Sequence, residues 1–401
     1  MPPLSRIVPL PTRALLRGVP FLLAAACGPS DPPKKDVRVA TPSPALGDTA
    51  QAVAARVKDA AMPESLAPRR PAIDSSVRVD SAGATGPSDS TRRPAADSGR
   101  WKPRPPVLRG RAAPDSIAIA SLDRDSLRVT GWPVKQAPSL PGAVVPGARI
   151  IAYYGNPLST RMGILGEIAP EQMMARLEKE AAEWQRADPS TKVIPALHIV
   201  GVVAQGSAGR DGKWRARMND SLLARVQRWA DSKGWLYFID VQVGLSTLRE
   251  ELPRLRPWLE KPNVHLGIDP EFSMKDGSAP GKKIGTFNAA DVNYAVRFLS
   301  EIVREKKIPP KVLIVHRFTR GMVTGTSDIA LDPAVQVVMQ MDGWGRPALK
   351  IATWRNFIQP EPVQFTGFKI FYKNDAKSGQ PILRPGEVLR LWPRPVYIQY
   401  Q

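Results

Sequence analysis

From about residue 146 onward, apolar runs of strand length alternate with segments whose apolar residues recur every three or four positions. That alternation is the pattern of βαβ units. Eight runs read as strands: 148–154 (ARIIAYY), 192–199 (KVIPALHI), 236–241 (LYFIDV), 264–269 (VHLGID), 312–316 (VLIVH), 335–341 (VQVVMQM), 365–372 (FTGFKIFY) and 396–400 (VYIQY). Helices fit between them. Segment 170–187 gathers Met173, Met174 and Leu177 on one side, with Pro170 at the start, where a missing N–H costs little. Asp220 or Asn219 can cap a helix over 221–232, Ser246 one over 247–259, and Asn288 one over 289–306. Eight strands in about 255 residues predict an α/β fold of the (β/α)8 TIM-barrel type, with an open doubly wound sheet as the alternative.

The connections separate the two ends of this barrel. Helix-to-strand links are short (233–234, 260–263, 307–311), and several strand-to-helix links are long (155–169, 201–217, 270–287). Long links rim the C-terminal face of such a barrel, where functional sites lie.

Polar residues collect at that end. His198 closes the second run, Asp240 and Gln242 the third, Asp269 and Glu271 the fourth, and His316 the fifth. Gln340 and Asp342 close the sixth, Lys369, Tyr372 and Lys373 lie along or after the seventh, and Gln399 is on the eighth. Asp269 and Glu271 are two positions apart, so on a continuing strand they face one way with Cα atoms about 7 Å apart. By the same alternation, Asp240 and Gln242 share the inner face, while Ile239, Val241, Leu266 and Ile268 turn to the helices.

Paired carboxylates in a pocket suit glycosidic-bond hydrolysis, in which one acid protonates the leaving oxygen and a second group acts as nucleophile, base or positioning partner. Glu271 is the candidate proton donor, Asp269 its partner, and Asp240 or Asp342 the facing acid. His198, Gln242, His316, Gln340, Asp342, Tyr154, Trp344 and Lys369 are candidate substrate contacts. Tyr153, Tyr154, Trp214, Trp344 and Tyr372 are candidate stacking platforms for sugar rings. Alternatively, the barrel binds glycan without turning it over. A third reading is a metal-dependent phosphoester hydrolase, with Asp240, Asp269, Glu271 and His316 as oxygen-rich ligands for a divalent cation. No paired-cysteine zinc site, HExxH or GxSxG is present, and no cofactor or dedicated metal set is expected.

The first third of the chain is different text. Arg6, Arg13 and Arg17 precede a short apolar run, 19–26, too short to span a bilayer. It ends at the single cysteine of the chain, Cys27, followed by Gly28. Small residues followed by Cys-Gly resemble the lipobox of bacterial lipoproteins. The resemblance implies a signal peptide over 1–26, lipidation of Cys27 and a cell-envelope address at a membrane surface, with the outer membrane favoured. Residues 27–140 read as a disordered tether rich in Pro, Ser and Ala, in which 117–132 is apolar enough to add a strand or two to the domain at 141–401. The formal net charge of +20 favours anionic surfaces. Without a dense Lys/Arg run interleaved with aromatics, however, no nucleic-acid partner is expected.

Gly267-Ile268-Asp269-Pro270-Glu271 resembles the tail of the strand-four motif of the chitinase-like family 18, which ends in x-Asp-x-Glu, and Met339-Gln340-Met341-Asp342 is similar to its sixth-strand Met-x-Tyr-Asp. The resemblance implies Glu271 as the acid, Asp269 as the group that positions a substrate acetamide, and Asp342 as a substrate contact. It covers about a dozen residues. The earlier aspartates of the strand-four motif are missing, Met341 replaces the Tyr, and Gln399 stands where a Trp is expected. The partner so implied is a glycan or other envelope polymer.

Overall fold

The computed structural model describes residues 114–401. The expected signal peptide, Cys27 and residues 27–113 lie outside the described residues.

Eight strands form the centre: β1 (Ala148–Gly155), β2 (Lys192–Ala204), β3 (Leu236–Val241), β4 (Val264–Ile268), β5 (Lys311–Arg317), β6 (Val335–Met341), β7 (Phe365–Ile370) and β8 (Tyr397–Tyr400). Each pairs in parallel with the next, and β1 pairs with both β2 and β8, so the sheet closes into a ring. An open doubly wound sheet would leave two edges; the ring leaves none.

The crossover helices are α1 (Pro170–Ala187), α2 (Asp220–Asp231), α3 (Leu248–Leu259), α4 (Ala289–Lys306), α5 (Pro347–Phe357) and the single turn α6 (Pro385–Val388). Asn219 caps α2 through its side chain, and Asn288 caps α4 in a reciprocal capping box with Asp291. Thr247, not the expected Ser246, caps α3 by accepting the Glu250 N–H. Ser246 instead donates to the carboxylate of Glu251 at 2.5 Å. The β5–β6 crossover contains 3-10 turns (Arg320–Met322, Thr326–Asp328) and no α-helix. Gly321, Gly325 and Pro333 break its text into pieces too short for one.

Alternation along the strands sorts side chains to two sides, as expected. Leu197, Ile199, Ile239, Val241, Leu266 and Ile268 pack outward against the helices. A second apolar cluster, including Ile150, Ala152, Ala196, Phe238, Val312, Ile314, Val338 and Tyr397, fills the lumen.

Segment 117–132, expected to add strands, contains none, and its first part is helical. It forms a short helix (Pro114–Ala120) followed by a 3-10 turn (Leu122–Leu127). A closed ring has no free edge to receive a strand. The segment packs on α5 instead: Asp115 accepts the Ala348 N–H at 2.7 Å, in the first turn of that helix, and Arg355 holds Asp125 with two bonds of 2.8 and 3.0 Å. Trp132 donates to the Gln359 carbonyl at 2.9 Å.

Candidate functional site

Seven of the eight strands deliver polar or aromatic side chains to the C-terminal half of the lumen, and the segment just after the remaining one, β4, supplies two acids. Tyr154 comes from β1, His198 from β2, Asp240 from β3, His316 from β5, Gln340 from β6, Lys369 from β7, and Tyr397 with Gln399 from β8. Strand β4 contributes Gly267 and, just beyond its end, Asp269 and Glu271. Gln242 and Asp342 follow β3 and β6.

Asp240 is central. Its Oδ2 accepts the Tyr154 hydroxyl at 2.8 Å, while its Oδ1 lies 3.3 Å from Nε2 of His316 and 3.6 Å from Nε2 of His198. The other ring nitrogen of His316 pairs with Asp342 Oδ2 at 3.0 Å, and Lys369 reaches Asp342 Oδ1 at 2.9 Å. The Lys369 ammonium also sits 4.1 Å from the Tyr154 ring centre. On the far side, His198 Nδ1 meets the Tyr397 hydroxyl at 2.6 Å and the Gln399 amide at 3.0 Å. The same Gln399 accepts from Gln340 at 3.1 Å. Signs alternate along the chain Asp240, His316, Asp342, Lys369, so charge is compensated locally although every member is buried.

Burial and these neighbours set the protonation states. Burial raises the Asp240 carboxyl, but His316 and His198 outweigh it and hold the group well below the usual carboxylate range. Burial lowers His316, yet the carboxylates of Asp240 and Asp342 carry it up to about 10. Burial takes His198 down to about 4, so it is neutral near pH 7. Burial pushes Asp269 up to about 6, with His316 and Lys369 opposing and the carboxylates of Asp240 and Asp342 adding to the rise. Asp269 accepts on both oxygens, from Gln242 Nε2 at 3.1 Å and from the Glu271 N–H at 3.1 Å. These bonds fix its orientation.

Glu271 does not lie on a strand. β4 ends at Ile268, and Pro270–Phe272 turn into a 3-10 helix capped by Asp269. The turn still brings the acids together: Asp269, Glu271 and Asp342 each offer a carboxylate oxygen within 4.8 Å of the others. Glu271 is 2% exposed and Asp269 3% exposed, so both carboxylates are shielded from solvent.

The aromatic candidates separate. Tyr154 belongs to the cluster. Tyr153 points outward into the helix-side core, where its hydroxyl meets that of Tyr372 at 3.0 Å, and Tyr372 donates to Glu180 of α1. Adjacent strand residues face opposite ways, so Tyr153 and Tyr154 cannot both line the lumen. Trp344 is half-buried with the Lys377 ammonium 5.3 Å from its ring centre, and Trp214 is half-buried in the loop after β2 with a φ of 51°. Tyr397 was not among the residues anticipated for the site. Its alternation with Gln399 on β8 is the signal that places both inward.

The fold and the site together define a class: a TIM-type parallel barrel whose mouth carries a buried acid–histidine–lysine network beside a carboxylate trio. No protein-family model matches the chain, and no curated protein matches it. Among the described residues, no helix is long and apolar enough to cross a membrane.

Proposed function

We propose that this chain is an envelope-anchored, glycoside hydrolase-like protein in which Asp269 and Glu271 perform acid–base hydrolysis of a surface or environmental glycan. The observation that carries the reading is the approach of the Asp269, Glu271 and Asp342 carboxylates to within 4.8 Å at the C-terminal end of the barrel. Glu271 is the proton donor to the leaving oxygen. Asp269, with its carboxyl raised into the range of neutral-pH proton exchange, orients and tunes that donor. The similarity of 267–271 and 339–342 to the chitinase-like family supports a substrate bearing an acetamide beside the scissile bond. Asp240 is a weaker candidate acid than its position in sequence suggested, because two histidines hold it ionised. The basic leader, short apolar run and Cys27-Gly28 support lipid anchoring at the envelope.

The burial of Glu271 favours a second reading, a barrel that binds glycan without cleaving it. One experiment separates the two. Full-length protein and Glu271→Gln are incubated with N-acetylated oligosaccharides and with peptidoglycan-type glycan, and reducing ends and bound ligand are both measured. Hydrolysis by the parent and none by the variant, with folding intact by circular dichroism, supports the first reading. Saturable binding without product in both proteins supports the second, and turnover that survives the substitution overturns the assignment of Glu271.

A further inference from the structure

We infer that His198, Asp240 and His316 form a binding site for one divalent transition metal ion of the zinc class. The argument is independent of any glycan chemistry, because it uses neither Glu271 nor Asp269.

Three atoms converge: Nε2 of His198, Nε2 of His316 and Oδ1 of Asp240, all within 4.8 Å of one another. Each belongs to a fully buried side chain, and none of the three makes a well-formed hydrogen bond, Asp240 Oδ1 facing the two ring nitrogens only at ion-pair distance. Buried polar atoms in that condition point to a missing bonding partner. Their spacing says which. The Oδ1 to Nε2 separations are 3.3 and 3.6 Å. Two ligands bound at zinc distances and spread at the tetrahedral angle lie about 3.4 Å apart, whereas a right-angled octahedral pair lies about 2.9 Å apart. The observed distances match the tetrahedral case. Three protein ligands also leave one coordination position open, as in catalytic zinc sites.

The surroundings are those of a ligand set. A metal-binding histidine normally donates its other ring N–H in a hydrogen bond, often to a carboxylate. His316 Nδ1 has Asp342 at 3.0 Å, and His198 Nδ1 has the Tyr397 hydroxyl at 2.6 Å. The second oxygen of Asp240 is engaged by Tyr154 at 2.8 Å. So each of the three side chains is fixed by its far atom, with its near atom aimed at the common point. Gly267 keeps that point clear, since a Cβ there would stand 2.6 Å from His198 Nε2 and collide with Asp240 Oδ1. Two imidazoles and one carboxylate suit zinc and its first-row neighbours rather than calcium or magnesium, which prefer oxygen alone.

The test uses the full chain, stripped with a chelator, then loaded with Zn2+ or Co2+ both by titration and by refolding in the presence of the ion, because the three atoms are buried. The expected result is one ion per chain by elemental analysis, a rise in the thermal midpoint, and the intense visible bands of four-coordinate Co2+. His198→Gln and His316→Gln abolish binding, Tyr397→Phe weakens it about 10–100-fold, and Asp269→Asn and Glu271→Gln leave it unchanged. The Co2+ spectrum of the parent needs no variant, so it stands even where a histidine variant fails to fold. No stoichiometric ion by either route would overturn the inference, with the gap then closed by a proton shared between Asp240 and His316. So would binding lost in Asp269→Asn or Glu271→Gln but kept in the histidine variants, which would put the ion on the carboxylate trio. No glycan is present in the assay, so failure of the proposed hydrolysis leaves its outcome unaffected.

Discussion

Gly267 and Asp240 face each other across β4 and β3 with no room for a methyl group between them. In register the two residues are direct partners on the paired strands. A Cβ on Gly267 would collide with Asp240 Oδ1 and stand 2.6 Å from His198 Nε2. Neither neighbour is a loose side-chain end, since both are tied at their far atoms by Tyr154 and Tyr397.

Gly267→Ala is therefore expected to destabilise the domain by about 1–3 kcal/mol, the range for overpacking a tight interior. Urea unfolding of the two proteins measures it. Gly386→Ala, at a position where nothing stands within 4 Å of an added Cβ, is the control and should unfold like the parent.

A pH effect is expected from the opposite end of the barrel. Lys311 opens β5, is fully buried, and donates to the carbonyls of Lys261 at 2.6 Å and Val264 at 2.9 Å. Burial lowers its ammonium pKa from 10.5 to about 7. Between those values the unfolded chain binds more protons than the folded one, so stability rises with pH through that window and the penalty is full below about 7. Between about pH 7 and about pH 9.5 Lys311 should contribute about 1–3 kcal/mol in favour of the higher pH, read as the difference in pH dependence between the parent and Lys311→Met, because His316, raised to about 10, acts in the opposite direction in both proteins. Lys311→Met should lose that slope, whatever its absolute stability.

Residues 114–140 should stabilise the barrel measurably. Leu122 is buried in the main core, and Asp125 and Trp132 tie the segment to Arg355 and Gln359. A chain starting at residue 141 is expected to melt roughly 5–10 °C below one starting at 114. Equal midpoints in calorimetry would mean that the segment rests on the barrel without supporting it.

The proposed anchoring would rest on Cys27. Expressed in a bacterium that processes lipoproteins, the full chain is expected in the membrane fraction and Cys27→Ala in the soluble fraction, read by ultracentrifugation and blotting. A parent found entirely in the soluble fraction would remove the envelope address.

The barrel was legible because strands buried on both faces read as apolar runs, and all eight lie within a few residues of their expected places. Caps were only partly clear: Asn288 caps as expected, Asn219 was one of two candidates beside Asp220, and Thr247 takes the place expected of Ser246. The site was legible as a set of strand ends, yet its pairings were not. Which carboxylate a histidine meets depends on barrel closure, which brings β8 beside β1 and the lumen residues of β3 and β5 within reach of each other. Glu271 was expected to continue the alternation of β4. Pro270, which cannot donate to the ladder, ends the strand and starts a turn instead. The 117–132 segment was misread because apolar content alone does not separate a short helix from a strand; the absence of a sheet edge decided it.

Ring closure also has a consequence for timing. Arg149 Nε bonds the Pro395 carbonyl across 246 positions of sequence, and His198 meets Tyr397 across 199. These contacts join the beginning of the barrel to its last strand, so none can form until β8 has been synthesised. Until β8 arrives, β1 and β7 remain open templates, and the polar belt behind them lacks Tyr397 and Gln399. The chain is thereby committed to a long-range folding step, slow by the ordinary relation between contact separation and rate, and a nascent chain that stalls before β8 would expose the two edges that the closed ring conceals.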